Sequence, residues 1–187
     1  MKLAQPRVLP LAESQWNETV KNTLRDVKVG QGAVPNIFRT LAHHPDLMRR
    51  WLVFGNHVLF KSTVPARERE LVILRIGWLC EAEYEWAQHV RIGKQAGLSA
   101  EEIHRIKIGH SAKGWSPRDV LLLKATDELH KDACITDPTW AGLSQHYDTQ
   151  QLMDIVFAIG QYNLVSMVLN TFGVQLDADL DTSFENT

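Results

Sequence analysis

The chain has 187 residues, 44% of them hydrophobic and 22% charged, with a formal net charge of -2. These values describe a globular protein with enough apolar material for a sizeable core, far from the disordered range. A near-neutral balance without a long basic run argues against nucleic acid as a partner, because phosphate binding needs clustered Lys and Arg.

Helical periodicity predominates along the chain, and strand signals are nearly absent. The opening stretch MKLAQPRVLPLAESQW has neither the apolar region nor the small-residue cleavage site of a signal peptide. Residues 13–24 predict a first short helix, and Gly30–Gly32 with Pro35 predict a loop. Two helices follow, the second starting near Pro45, where proline suits the first turn. Leu47, Trp51, Phe54 and Val58 recur there at helical spacing and should form its apolar face. Pro65 opens the next helix, with Glu68 and Glu70 near its positive dipole end. Leu71, Leu74, Ile76 and Trp78 should bury that helix. A boundary at Cys80–Ala82 leads into a helix over 83–96, stopped by Gly97. Ser99, with Glu102 three residues on, forms a capping box at the next start. A turn-rich linker spans 109–117. Helices are then expected over 117–132, 138–146 and 149–172, the last ending at Gly173.

The 149–172 segment is apolar on most of its circumference, which suits the middle of a bundle or a subunit interface. Asp154, Gln161, Asn163 and Asn170 argue against a membrane span. The other long apolar run, Leu71–Cys80, is interrupted by Arg75 and too short to cross a bilayer. The acidic tail from Asp177 onward should fray. Residues 1–187 thus read as a single all-α domain, with N-terminal helices over 13–60, a core over 65–106 and C-terminal helices over 117–173. Its two cysteines, Cys80 and Cys134, make no disulfide framework and suit a reducing cytoplasm.

The stretch CEAEYEWAQH, residues 80–89, gathers the most reactive side chains. Glu85 and His89 are four residues apart on one helix, so they can meet. A carboxylate beside an imidazole raises its pKa and fixes its tautomer, as acid–base chemistry requires. Glu70 on the preceding helix can complete the cluster. The plainer alternative is a first-turn acid beside a satisfied core histidine. Cys80 has Glu83 where a C-x-x-C partner would stand, so it reads as a buried thiol rather than a redox site. Neither HExxH nor paired Cys/His spacing is present, and no metal site is expected. Tyr84, Trp86, Phe54 and Tyr162 are candidates for a pocket wall, or simply for core. Asn163, polar within an apolar helix, needs a partner, and a pocket can supply one.

Residues 65–106, PARERELVILRIGWLCEAEYEWAQHVRIGKQAGLSAEEIHRI, resemble the carboxymuconolactone decarboxylase family, whose superfamily includes the alkylhydroperoxidase-D-like proteins. The Arg-Glu-Arg-Glu helix start, Tyr-Glu-Trp before a histidine, and the Ala-Gly-Leu-Ser segment carry the likeness. NIFRTLAHHPDLMRRW and GQYNLVSMVLNTFGV extend it over most of the chain. The resemblance implies an alkylhydroperoxidase-D-like helical bundle that assembles into trimers or hexamers, with the site beside a subunit interface. The family's peroxidase branch carries a glutamate, a C-x-x-C and a histidine. Aligned on His89, those cysteines fall at Ala82 and Glu85 and the glutamate at Glu70. Cys80 lies two positions too early to replace the first.

The dithiol chemistry therefore lacks its sulfurs, while the proton-transfer groups remain. The resemblance implies a cofactor-independent lyase or isomerase acting on a small carbonyl-containing acid or lactone. His89 would carry the proton, Glu85 orient it, and Glu70 act as a second acid or base. Two alternatives stand beside this one: a peroxidase using Cys80 as a lone thiol, and a non-catalytic helical oligomer.

Overall fold

The computed structural model describes residues 3–25, 27 and 34–180, and these residues form an all-helical bundle. The expected loop at Gly30–Gly32 lies outside the described residues. In chain order the helices are α1 (Glu18–Leu24), α2 (Asn36–Leu41), α3 (Pro45–Phe60), α4 (Ala66–Leu79), α5 (Glu83–Gln95), α6 (Ala100–Ile108), α7 (Pro117–Asp132), α8 (Asp137–Leu143) and α9 (Thr149–Phe172).

Local signals explain most boundaries. The expected helix over 13–24 is broken into a 3-10 turn at Glu13–Gln15 and α1, because Asn17 turns out of the helix to cap it. The Asn17 side chain accepts from the Val20 amide at 2.9 Å, satisfying an otherwise orphaned donor. Capping boxes open α6 (Ser99 with Glu102), α7 (Ser116 with Asp119) and α9 (Asp148 with Gln151). Helix α8 ends at Leu143 rather than running to 146. Between α4 and α5 the chain reverses through Glu81, at φ 51, a left-handed conformation that side chains rarely adopt.

Helix α4 is the centre of the bundle, packed against α5, α6, α7 and α9. Residues 70–77 are all buried, so this helix has no solvent face for its charges. Every charge of its Arg-Glu-Arg-Glu start instead meets a partner on another element or beside it. Arg67 pairs with Asp119 at 2.8 Å and with Glu102. Glu68 accepts from the Tyr147 hydroxyl at 2.8 Å and from Arg118 at 3.1 Å. Arg69 lies 3.3 Å from Glu70, which in turn reaches α5. Further along, buried Arg75 donates to Asp127 at 2.6 Å and to the carbonyls of Ile106 and Lys107.

Helix α9 is long and apolar enough to cross a membrane by length and composition, yet half of its apolar window is buried within the bundle. It packs on α4 with further contacts to α3, α5 and α7. Its polar residues have local partners at the α4–α5 turn. The Asn170 amide donates to the Cys80 carbonyl at 2.8 Å, and the Cys80 thiol donates to Asn163 Oδ1 at 3.0 Å. The opposite face of α9 leaves Met153, Phe157, Leu164 and Met167 about half exposed.

The apolar face expected on α3 is only partly covered. Val58 and Met48 are buried, whereas Leu47 and Phe54 are exposed, and Phe54 packs edge-on against Phe157. The tail also departs from expectation as far as it is described. Asp177 is tied down by Tyr84 Oη at 2.6 Å, Gln88 Nε2 at 2.8 Å and the Asn36 amide at 2.7 Å. Three donors converging on one carboxylate fix the segment across α2 and α5.

Candidate active site

The buried charge cluster sits where α4 and α5 cross beneath α9. Their close approach depends on Gly93, where a methyl group would stand 3.0 Å from a Leu98 carbon and 3.2 Å from a Leu74 carbon. This crossing brings Glu70 under the ring of His89. His89 Nδ1 and Glu70 Oε2 are 2.7 Å apart, and Nε2 lies 3.0 Å from Glu85 Oε1. All three side chains are buried, Glu70 completely. The sequence expectation that these residues meet is met by the geometry.

The two carboxylates are not equivalent. Glu70 accepts a short hydrogen bond from Nδ1 and two longer ones, at 3.3 Å, from Arg69 Nε and Nη2. Glu85 Oε1 is sealed from solvent and makes no hydrogen bond of ordinary geometry, so its contact with Nε2 is electrostatic and off-axis. A buried acceptor left in that state carries a desolvation cost of about 1–3 kcal/mol. Glu70 is thus an anchored carboxylate, and Glu85 one with an oxygen to spare.

Burial is the largest single influence on His89 and disfavours its imidazolium. The charges of Glu85 and Glu70, with the hydrogen bond to Glu70, together outweigh it, and His89 is pushed up to about 10. The ring is then an imidazolium at neutral pH, a proton donor held between two anions. Tyr162 stacks on it edge-to-face with ring centroids 4.7 Å apart. Burial, then the charges of Glu85 and Glu70, push the Tyr162 phenol well above its ordinary value, so it stays a neutral O–H.

Of the five residues expected to wall a pocket, the structure places only Tyr162 against His89. Tyr84 points to Asp177 and the Ile37 amide. Trp86 is fully buried against Trp78, at 5.4 Å between centroids. Phe54 lies on the exposed α3–α9 face, and Asn163 is occupied by Cys80. Tyr84 and Trp86 flank Glu85 in sequence, and each neighbour on a helix is turned by about 100°. Adjacency to a site residue therefore points a side chain away from the site.

A cavity of about 260 Å³ lies beyond Tyr84, at the end of α9, lined among others by Leu169, Asn170, Val174 and Leu176. Cys80 is half-buried, with His130 Nδ1 3.8 Å from its sulfur. Burial pushes the thiol up; the Ser166 hydroxyl opposes this and the charge of Glu85 reinforces it. It is a protonated donor to Asn163 rather than a thiolate, the opposite of what a reactive cysteine needs. Among the described residues, no group of three or more His, Cys, Asp or Glu side chains is arranged to hold a metal ion.

Residue-level missing pieces are two. Of Arg67, Arg69 and Arg75 on α4, Arg69 alone contacts the cluster, and nothing in the sequence singles it out. Ser166, fully buried on α9 with its hydroxyl acting on the Cys80 thiol, carried no signal at all.

Residues 45–128 match the model of the carboxymuconolactone decarboxylase family. No curated protein sequence matches the chain. Among solved structures, an alkylhydroperoxidase AhpD core described as an uncharacterized peroxidase-related protein from Ralstonia eutropha JMP134 superposes with a TM-score of 0.82. It shares 19% identity and covers 93% of each chain. An uncharacterized peroxidase-related protein from Silicibacter sp. TM1040 superposes with a TM-score of 0.74 at 15% identity, covering 98% of this chain and 95% of that one. The debrominase Bmp8, as a cysteine-to-alanine variant in complex with 2,3,4-tribromopyrrole, gives a TM-score of 0.72 at 14% identity and 94% coverage of both chains. At these identities the likeness concerns the fold.

Proposed function

Residues 45–128 match the carboxymuconolactone decarboxylase family model on an alkylhydroperoxidase-D-like fold, and from that premise we propose that the chain is a cofactor-independent acid–base enzyme of this family. Its substrate class is a small carbonyl-containing acid or lactone, and its reaction a decarboxylation or isomerisation through an enolate. The observation that carries the reading is His89 held between two buried carboxylates of unequal engagement, at 2.7 Å and 3.0 Å.

The inequality supports a division of roles. Glu70 holds Nδ1 and fixes the ring, as an orienting carboxylate does. His89 Nε2–H is the acid that stabilises negative charge developing on a carbonyl oxygen. Glu85, with its spare oxygen, is the base that removes a proton from the adjacent carbon. In a decarboxylation the breaking C–C bond leaves its electron pair on that oxygen as an enolate, carbon dioxide departs, and the carbon is then protonated from the Glu85–His89 pair. These roles exchange Glu70 and Glu85 relative to the reading from sequence. We further propose a homo-oligomer, trimeric or hexameric, supported by the exposed Met153, Phe157, Leu164 and Met167 on α9.

The test needs no named substrate. Small ketones and oxo acids incubated with the protein in D2O should lose the proton next to the carbonyl, followed by proton NMR. Exchange should fall to background in His89→Ala and drop strongly in Glu85→Gln. Equal exchange in the wild type and both variants would sink the proposal.

A further inference from the structure

The site as described has one unresolved difficulty: two buried carboxylates repel a substrate that is itself an anion. The arginines nearby are unequally placed to relieve it. Arg67 is bound by Asp119 and Glu102, Arg75 by Asp127 and two carbonyls, and Arg118 by Glu68. Each of these guanidiniums has its charge answered at 3.1 Å or less. Arg69 differs. Its Nε and Nη2 both reach one oxygen of Glu70, at a long 3.3 Å, and the carboxylate's other oxygen is taken by His89. Nη1 has no acceptor among the described residues and is not sealed from solvent. The side chain is only 12% exposed. A half-engaged guanidinium, nearly buried and one carboxylate away from the imidazolium, is placed for an anion that the free protein lacks.

The Tyr162 ring covers His89 edge-to-face, with centroids 4.7 Å apart, and walls the imidazolium on that side. The charge balance agrees. Glu70 and Glu85 against His89 alone leave one excess negative charge, and Arg69 cancels it. An entering carboxylate therefore meets a neutral cluster with one guanidinium nitrogen, Nη1, free to donate a charge-assisted hydrogen bond.

We propose that Arg69 forms a carboxylate-reading subsite beside the His89–Glu85 pair, so that the substrate is a small oxo acid rather than a neutral carbonyl compound. This inference rests on the acid–base reading of the pair and adds the group that selects what enters it. Arg69 is a specificity-determining residue in this arrangement.

The probes are levulinate and 2-oxobutanoate, each compared with its methyl ester, with the His89 ring resonances as the readout of binding. A charge-assisted hydrogen bond is stronger than a neutral one, so the acids should bind wild type about tenfold or more tighter than the esters. Arg69→Gln should remove that preference, the acids losing far more affinity than the esters. Arg69→Lys, which keeps the charge and loses the fork, should fall between. Should Arg69→Gln fail to fold, the lysine variant decides: a loss confined to the acids supports the subsite. An equal loss for acids and esters, no acid preference in wild type, or no response of His89 to either acid at tens of millimolar overturns it. Deuterium exchange of the esters separates the two claims. Exchange that depends on His89 without any acid preference removes the subsite alone, whereas no exchange at all removes the acid–base reading beneath it.

Discussion

The imidazolium between Glu70 and Glu85 makes stability depend on pH in a way that can be worked out beforehand. His89 is pushed up to about 10 from an ordinary 6.5. A histidine raised on folding contributes stability that is fully present below about 6.5 and is lost as pH rises through about 10. Across that window the folded chain holds a proton that the unfolded chain has released, so unfolding free energy should fall by about 1.4 kcal/mol per pH unit. Integrated over the window, this is on the order of 5 kcal/mol at about 1.4 kcal/mol per tenfold. That is a large share of a typical domain's total of about 5–15 kcal/mol. Cys80 acts in the same direction, since burial raises its thiol and the unfolded state ionises first. The measurement is therefore urea denaturation from about pH 7 to 9.5 in a Cys80→Ser background, with and without His89→Gln. The His89→Gln protein will start less stable, because two buried carboxylates lose their counter-charge. The slope is the readout: it should be steeper with the histidine by about one proton. Parallel slopes would mean that His89 is not held as an imidazolium, and the charge argument for the site would fail.

Further expectations are simpler to check. Ala133 sits at the end of α7 with φ 54, so Ala133→Gly should stabilise the fold by about 1 kcal/mol in thermal or urea unfolding. Gly93→Val puts atoms into a gap already 3.0 Å from Leu98; it should cost about 1–3 kcal/mol and broaden the His89 ring signals by disturbing the α4–α5 crossing. Sedimentation equilibrium at micromolar concentration should give a multiple of the 21.3 kDa chain mass, and Phe157→Asp should shift it toward monomer; a wild-type monomer refutes the assembly. Turnover of cumene hydroperoxide with a dithiol reductant should not exceed that of Cys80→Ala, and cysteine-dependent turnover would revive the thiol reading.

The helices themselves were largely legible, because their ends are written in local chemistry. Pro45, Gly97, Gly173 and the Ser99–Glu102 pair each act within a few residues. Asn17 was missed for the same reason in reverse, its cap being hidden inside an amphipathic-looking run. The meeting of Glu85 with His89 followed from helical spacing alone. That Glu70 rather than Glu85 binds the ring squarely could not be read, since it depends on the angle at which α4 crosses α5. The wall residues were the weakest inference. Tyr84 and Trp86 were chosen for their nearness in sequence to Glu85, and a helix sends such neighbours elsewhere. The expected apolar face of α3 shows the same limit, because periodicity gives a face and not the partner that covers it.

The Arg-Glu-Arg-Glu start of α4 has a consequence for how this chain can change. Three of its four charged residues reach other elements, Arg67 toward α6 and α7, Glu68 toward Tyr147 and Arg118, and Glu70 toward His89, while Arg69 stays on neighbouring Glu70. Each side chain answers a charge carried elsewhere, so altering any one strands an opposite charge in or near the core. Glu68 and Arg118, or Arg67 and Asp119, are tolerated together or not at all, and their joint replacement by neutral residues should cost less than the two single losses added. Sequence drift at this turn must pass through less stable intermediates unless both members of a pair change at once. The bundle's centre behaves as a keyed lock whose pins move only in pairs.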